Sequence, residues 1–224
     1  MNLVSIITPT YNSEIYIQEC IYSIISQSYQ HWELLITDDA SSDDTIKSIQ
    51  TFAARDSRIK LFRLEHNSGA AVARNHSIKY AKGRFIAFCD SDDLWKPTKL
   101  EKQIAFMIRE DSAFSYTSYD CINEDGTSLS GIDCTSVLTY KDLLKNNYIG
   151  CLTAIYDVEK LGKRYMPLLR KRQDWALWLQ LLKECDEAKG LQERLAVYRE
   201  RSSSISSNKM EMLKYNWLIY HRVE

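Results

Sequence analysis

The first half of the chain alternates short apolar runs with segments in which apolar residues recur at every third or fourth position. Continuous apolar runs are typical of strands buried on both faces, and the second pattern is typical of helices. Helical spacing begins at Ile17, with Ser13 as the predicted cap, and Ser41 or Ser42 is expected to open the second helix. The runs that predict strands are LVSII (3–7), WELLIT (32–37), IKLFRL (59–64) and RFIAFC (84–89).

Strands that alternate with helices of about ten or more residues indicate a parallel sheet covered by helices on both faces. We therefore predict an α/β fold with a Rossmann-like, mostly parallel sheet. In such sheets ligands bind beyond the carboxyl ends of the strands. The side chains that directly follow each strand are therefore the first candidates for a binding site.

The second half has a different rhythm, with shorter elements and no linker before it. The predicted elements are strands over 113–122, 152–157 and 194–200, short helices near 141–146 and 158–162, and a longer helix after Asp174. We predict one domain over residues 1–207, made of the halves 1–112 and 113–207. An apolar stripe predicts a further helix over 208–224.

Composition fits a globular protein, since 45% of the residues are apolar and 26% are charged. The net charge of −1 gives no reason to expect nucleic acid as a partner. The N-terminal apolar run has only five residues, which is too short for a signal peptide or a membrane span. The six cysteines are scattered without a CxxC pair, so we expect them to be reduced and the protein to be cytoplasmic.

Three carboxylates, Asp90, Asp92 and Asp93, follow the fourth predicted strand within four positions. Neighbouring carboxylates raise one another's pKa unless a cation lies between them. Oxygen ligands of this kind suit Mg²⁺ or Mn²⁺, and Mg²⁺ usually takes one or two carboxylates together with substrate phosphates. A solvated strand-to-helix turn with an aspartate cap explains the same residues, so the pattern alone leaves both interpretations open.

A second acidic pair, Asp38 and Asp39, ends the second predicted strand and therefore lies at the same edge of the sheet. Asp43 and Asp44 are most simply acids in the first turn of the next helix, where they interact favourably with the helix dipole. This interpretation covers Asp38 and Asp39 less well, because they come before the helix. A carboxylate at the end of the strand can accept hydrogen bonds from a base or a ribose. Arg74, on the third predicted helix, suits either a phosphate or a solvated helix face.

Six segments, in this order, resemble the motifs of family 2 glycosyltransferases with the GT-A fold. They are VSIITPTYN (4–12), SIISQSYQHWELLITDDASSDDT (23–45), NSGAAVARN (67–75), FIAFCDSDDLW (85–95), RQDWALWL (172–179) and YRERSSSISSNK (198–209). The resemblance covers Val4 to about Lys209, which is nearly the whole chain. It implies an enzyme of bacterial polysaccharide or O-antigen synthesis, whose first half binds a nucleotide sugar and whose second half faces the acceptor.

The resemblance also implies a role for the residues near the nucleotide. Thr8, Tyr11 and Asp39 would lie against the uracil or another base. Asp90 would approach the ribose, and Arg74 would belong to the same nucleotide-binding set.

The remaining roles concern the diphosphate and the reaction. Asp92 would hold Mn²⁺ or Mg²⁺ on the diphosphate, with Asp93 as a supporting residue or helix cap. Taken alone, Asp174 is most simply an N-cap, but the family carries its general base at this position. Relatives often have Glu where this chain has Gln173, and His or another basic residue near Arg201.

The implied reaction moves a sugar from a nucleotide-diphosphate sugar, expected to be a UDP-sugar, to a hydroxyl of a saccharide or lipid-linked saccharide with inversion. A sugar nucleotidyltransferase is one alternative, but it should show a Gly-rich loop with a basic residue after the first strand, and TPTYNSE (8–14) has neither. A non-catalytic nucleotide-sugar-binding module is the other, and the intact Asp92 and Asp174 argue against it.

The segment KRYMPLLRKR (163–172) carries five cations around an apolar centre. Such a surface, with the predicted helix 208–224, can contact anionic lipid and predicts a peripheral position at the inner face of the cell membrane. A solvated loop and a helix packed on the core explain the same residues.

Overall fold

A computed structural model describes residues 2–201. The strands there are β1 (Val4–Thr10), β2 (Trp32–Asp38), β3 (Ile59–Arg63), β4 (Phe85–Phe88), β5 (Leu94–Trp95), β6 (Phe114–Ile122), β7 (Ser128–Ile132), β8 (Val137–Thr139), β9 (Ile155–Asp157) and β10 (Glu187–Arg199). The helices there are α1 (Ile17–Ile25), α2 (Thr45–Ala53), α3 (Ala70–Tyr80), α4 (Lys99–Arg109), α5 (Tyr140–Lys145), α6 (Val158–Leu161) and α7 (Gln173–Glu184). None of these helices is long and apolar enough to cross a membrane.

One mixed sheet runs through both halves in the order β3-β2-β1-β4-β9-β6-β10-β5. The first four strands are parallel, as predicted. The short strand β9 is antiparallel to both of its neighbours, β4 and β6, and so joins the parallel half to the second half. The single domain predicted over residues 1–207 and its division at residue 112 stay predictions.

Both faces of the sheet are covered, because all seven residues of β1 and of β2 are buried. Val4 and Ile6 of β1 belong to the core that includes residues of α1, α2 and α4. Ile7, which points the other way, belongs to the core that includes residues of α3 and α7. This is the two-sided burial that the continuous apolar runs indicate.

Helix α7 is fixed to the sheet by aromatic contacts from both halves. The ring of Trp178 lies 5.4 Å from that of Phe88 on β4 and 5.2 Å from that of Phe114 on β6. The indole N–H of Trp175 donates to the backbone oxygen of Leu143, 2.8 Å away. The beginning of α7 is therefore held in a defined position at the edge of the sheet.

Several predicted helix starts were wrong. Ser13 does not cap α1, whose N-cap is Tyr16. Helix α2 begins at Thr45, after Asp43 and Asp44, because the residues around Ser41 bond to the loop that follows β1. Strands β5, β7 and β8 were missed since they are short or mostly exposed. The helix predicted over 208–224 lies outside the described residues.

Lys99, the first residue of α4, is completely buried. Its ammonium donates to Oε1 of Gln103 at 2.6 Å and lies 4.6 Å from the ring centre of Trp95. Within residues 2–201 it forms no salt bridge with a carboxylate. Burial therefore lowers the pKa of Lys99 from its ordinary value to about 7.

A lowered pKa means that the folded protein disfavours the charged form, so the destabilisation grows as pH falls from about 10.5 towards 7. We expect Lys99→Met to flatten this part of the stability profile, with a gain at pH 7 relative to pH 10 on the order of several kcal/mol. Urea unfolding at both pH values measures the difference. Lys102→Met, which changes a half-exposed lysine on the same helix, should leave the slope as it is. Equal slopes in the parent and Lys99→Met would contradict the assignment.

Candidate active site

The carboxyl ends of β1, β2 and β4 open into one large cavity of about 1590 Å³. Its lining includes residues from both halves of the chain. Of the predicted site residues, the cavity is lined by Tyr11, Asp39, Arg74, Asp90, Asp92 and Asp174. Thr8 is different: it is fully buried in β1, and the residues of that strand which reach the cavity are Pro9 and Thr10.

The loop that follows β4, residues 90–93, carries the three clustered carboxylates and is here named the acidic loop. Asp90 accepts a hydrogen bond from Nη2 of the buried Arg74 at 2.5 Å. Asp92 accepts one from Nη1 of Arg201 at 3.0 Å. The counter-charges that are missing from the neighbouring sequence thus come from elsewhere in the chain, and a fully solvated turn does not describe this loop.

Asp93 connects the acidic loop to the end of β10. It is buried, and its Oδ1 accepts the backbone N–H of Arg199 at 3.1 Å. Burial, together with the nearby charges of Asp92 and Asp90, raises the pKa of Asp93 well above its usual range. Burial and Asp90 also raise the pKa of Asp92, against the opposing effect of Arg201.

Arg199 is a site residue that the sequence did not single out. Its buried guanidinium donates from Nε to the backbone oxygen of Asp92 at 3.1 Å and from Nη2 to Glu19 on α1 at 2.6 Å. It also lies 5.0 Å from the ring centre of Tyr16. Because Arg199 falls in the motif that ends the resemblance, its place in that motif was the available signal.

Asp39 lies beyond the end of β2 and orders the loop that leads into α3. Its Oδ1 accepts the N–H of Ser68 at 2.7 Å, and its Oδ2 accepts the N–H of Gly69 at 2.8 Å. Gly69 has a φ of 93°, a backbone conformation that residues other than glycine rarely adopt. Asp39 therefore lines the cavity and also orders the loop at Ser68 and Gly69, which forms part of the same lining.

The loops that follow β1 and β2 are bonded to each other. The backbone N–H of Asn12 donates to Oγ of Ser41 at 2.9 Å, and its side-chain oxygen accepts the N–H of Ser42 at 2.9 Å. Ser13 connects the same loop to the acidic loop through Ser91, with 2.9 Å between their hydroxyl oxygens. The end of the cavity at β1, β2 and β4 is thus a connected set of loops, from which the half-exposed Tyr11 projects.

Asp174 is in the first turn of α7 and lines the same cavity as the acidic loop. The helix begins at Gln173 and its N-cap is Arg172, so the simple N-cap interpretation of Asp174 was wrong. Oδ2 of Asp174 accepts a hydrogen bond from Nδ2 of Asn147 at 3.1 Å. Burial raises the pKa of Asp174, partly offset by the N–H of Trp175 and then by the charge of Arg74. A carboxyl group with a raised pKa suits proton abstraction.

No group of three or more His, Cys, Asp or Glu side chains in the described chain is arranged to hold a metal ion by itself. The acidic loop instead presents Asp92, whose Oδ2 already accommodates the cationic Arg201. This donor set fits a divalent ion that takes one or two carboxylates and completes its shell with substrate phosphates.

The chain is similar to known proteins over most of its length. The profile of the family described as "Glycosyl transferase family 2" matches residues 5–164. The putative teichuronic acid biosynthesis glycosyltransferase TuaG of Bacillus subtilis is 49% identical over 223 residues, which cover 99% of this chain and 88% of TuaG. The Escherichia coli protein WfgD, named UDP-Glc:alpha-D-GlcNAc-diphosphoundecaprenol beta-1,3-glucosyltransferase, is 45% identical, over 96% of this chain and 84% of WfgD.

Two solved structures share the fold. A crystal structure of Staphylococcus aureus TarS with UDP is 26% identical, with a TM-score of 0.76, and covers 89% of this chain and 61% of that one. The mannosyltransferase PcManGT of Pyrobaculum calidifontis, in complex with GDP-Man and Mn²⁺, has a TM-score of 0.67 at 18% identity and covers 96% of this chain. This chain spans about 60% of the PcManGT chain.

The GT-A architecture and the cavity at its strand ends define a nucleotide-sugar-dependent glycosyltransferase of polysaccharide biosynthesis. The chain belongs to glycosyl transferase family 2.

Proposed function

We propose that this enzyme transfers glucose from UDP-glucose, with a divalent metal and with inversion, to a hydroxyl of GlcNAc carried on a lipid diphosphate. The observation that carries the proposal is the placement of Asp174 and the acidic loop on one cavity. The named activity of WfgD supports the choice of donor and acceptor. Because UDP-glucose is α-linked, the beta linkage in that name corresponds to inversion.

At the end of the cavity near β1, β2 and β4, Tyr11 and Asp39 contact the uracil in our proposal. Asp90 approaches the ribose, and Arg74 holds the Asp90 carboxylate in place. Thr8 has no side-chain exposure, so its proposed part is to shape the strand beneath the base. Asp92 holds Mn²⁺ or Mg²⁺, which when bound offsets the charge that develops on the leaving diphosphate.

At the acceptor end, Asp174 accepts the proton of the attacking hydroxyl. The new bond forms at the anomeric carbon as the bond to the diphosphate breaks, so a single displacement inverts the centre. Asn147 fixes the carboxylate through its hydrogen bond to Oδ2. Most of the rate enhancement then comes from orientation and from preorganised charge.

We also propose that the enzyme works in the cytoplasm, at the inner face of the cell membrane. A lipid-linked acceptor places the reaction at a membrane surface. The six cysteines are free thiols, as expected in a reducing compartment.

Asp92→Asn should remove the metal dependence of UDP binding. The parent should bind UDP at least about tenfold more tightly with Mn²⁺ than with EDTA, because the ion links the carboxylate to the diphosphate. Isothermal titration in both buffers measures the two affinities. Asp133→Asn, which neutralises an exposed carboxylate on the same cavity, serves as the control. A normal Mn²⁺ effect in Asp92→Asn would remove Asp92 from the site.

Asp39→Ala should weaken the binding of UMP in the presence of EDTA by about tenfold, because it removes both a base contact and the anchor of Ser68 and Gly69. Titration calorimetry is again suitable, since no metal or diphosphate is involved. Asp44→Ala changes an exposed carboxylate directly before α2 and should bind UMP normally. If Asp39→Ala bound UMP as tightly as the parent, its nucleoside role would be withdrawn.

Asp174→Asn should lower the transfer rate by roughly a hundred- to ten-thousandfold, since Asn keeps the shape and the bond to Asn147 but cannot take the proton. UDP-glucose affinity should hardly change. In the parent, kcat/KM should fall as pH decreases through the pKa of Asp174, which burial raises from its ordinary value. UDP release with a GlcNAc-diphosphate-alkyl acceptor measures both effects.

Asn147→Ala is the matched variant, because it removes the hydrogen bond and leaves the carboxylate. Its loss should be much smaller than that of Asp174→Asn. Transfer by Asp174→Asn at close to the parent rate, or an unchanged acidic limb of its pH profile, would refute the role of Asp174 as base.

A further inference from the structure

Four cations lie along the acceptor end of the cavity: Lys145, Arg170, Lys171 and Arg172. We name them the basic rim. The donor chemistry described above does not use them, because it relies on the acidic loop and on the residues that follow β1 and β2. Two separate chain segments supply them, residues 145 and 170–172.

The basic rim is close to the catalytic carboxylate in the chain and in space. Arg172 directly precedes the first turn of α7, which carries Asp174. On the other side, Asn147 is bonded to Asp174, and Lys145 is only two residues earlier. Both segments therefore adjoin Asp174 and line the cavity that a molecule must enter to bring its hydroxyl to this carboxylate.

Two cations of the rim, Arg170 and Lys145, have charge that is available for a ligand. Arg170 is exposed and forms no salt bridge with any residue from 2 to 201. Lys145 has an ion pair with Asp142 at 3.4 Å, but its side chain is 71% exposed, and exposed pairs of this kind stabilise little. An anion that arrives at the rim therefore does not need to break a strong ion pair at either residue.

The other two cations of segment 163–172 have structural roles. Lys163 donates from Nζ to the backbone oxygen of Ala81 at 2.9 Å, just beyond the end of α3. Arg164 donates from Nε to the backbone oxygen of Leu161 at 2.7 Å. The predicted cluster of five cations thus separates into two structural residues and three residues at the cavity.

The same segment presents apolar groups to solvent from a fixed backbone. Met166 is buried, and its N–H and backbone oxygen both bond to the side chain of Asn75, at 2.7 and 2.8 Å. Leu169 is also buried, whereas Leu168 is 66% exposed and Tyr165 is 47% exposed. Leu168, two residues before Arg170, is therefore exposed on a segment whose backbone is held in place.

We propose that the basic rim binds the diphosphate of the lipid-linked acceptor and that Leu168 contacts the first units of its lipid chain. This inference rests on the proposed function and identifies the part of the molecule that recognises the acceptor. The charge is complementary: the diphosphate is anionic, and the rim carries four cations, of which the arginines suit bidentate phosphate contacts. The sugar attached to that diphosphate then points inwards, towards Asp174.

The test compares the parent with Arg170→Gln/Lys171→Gln, using two synthetic acceptors that share one alkyl chain. One carries GlcNAc on an α-diphosphate, and the other carries it on a simple α-glycosidic oxygen. With the diphosphate acceptor, we expect the double variant to raise KM at least about tenfold with little change in kcat. With the second acceptor, KM should stay the same. Lys47→Gln, on α2 and 79% exposed, is the control.

A binding measurement separates this proposal from the proposed function. The enzyme is first saturated with UDP and Mn²⁺, which fills the donor site, and is then titrated with the diphosphate acceptor. Tighter binding by the parent than by the double variant supports the rim even if no glucose is transferred. Transfer failure in the parent would in that case refute the proposed function alone.

Three outcomes would overturn the proposal: equal KM effects with both acceptors, no effect with either, or no binding of the diphosphate acceptor to the UDP-saturated parent. Leu168→Ser tests the lipid contact separately. It should reduce the preference of the parent for a long over a short alkyl chain on the diphosphate acceptor. Binding of the double variant and the parent to acceptor-free anionic vesicles should be equal, and a loss there would assign the cations to phospholipid instead.

Discussion

The site depends on ion pairs between two carboxylates of the acidic loop, Asp90 and Asp92, and arginines from other parts of the chain. Arg74 precedes Asp90 by 16 residues, and Arg201 follows Asp92 by 109. Without them, like charges at this density would repel and raise one another's pKa. Arg199 adds a mechanical connection, because its guanidinium joins the acidic loop to α1 while its backbone N–H bonds to Asp93. The arginines that balance the charge of the acidic loop therefore also help to fix its position.

Charge is distributed unevenly along the cavity. Carboxylates and arginines alternate in ion pairs at the donor end, whereas cations predominate at the rim near Asp174. The carboxylate of Asp174, which is partly buried, follows the rim residue Arg172 by two positions. In our proposal the diphosphates of the two substrates lie on either side of the sugars, which meet near Asp174.

The parallel half of the sheet could be predicted from the sequence because its strands are continuous apolar runs buried on both faces. Apart from Thr8, the predicted site residues also line one cavity, as the position of the strand ends predicts. The partners of the acidic loop could not be found in this way, since Arg199 and Arg201 reach it only through the tertiary fold. Helix starts were wrong at Ser13 and Ser41 because hydrogen bonds between loops took precedence over local capping, and local sequence does not encode such bonds.

The position of the last strand has a consequence for synthesis on the ribosome. When the first 112 residues have emerged, β4 is an edge strand, because its neighbour β9 is still to be made. Exposed edges of this kind pair with other chains. The acidic loop also lacks two of its arginines until residues 199 and 201 appear, so its carboxylates repel one another until then. The loop therefore gains these counter-charges only after β10, the last strand of the described residues, has been made.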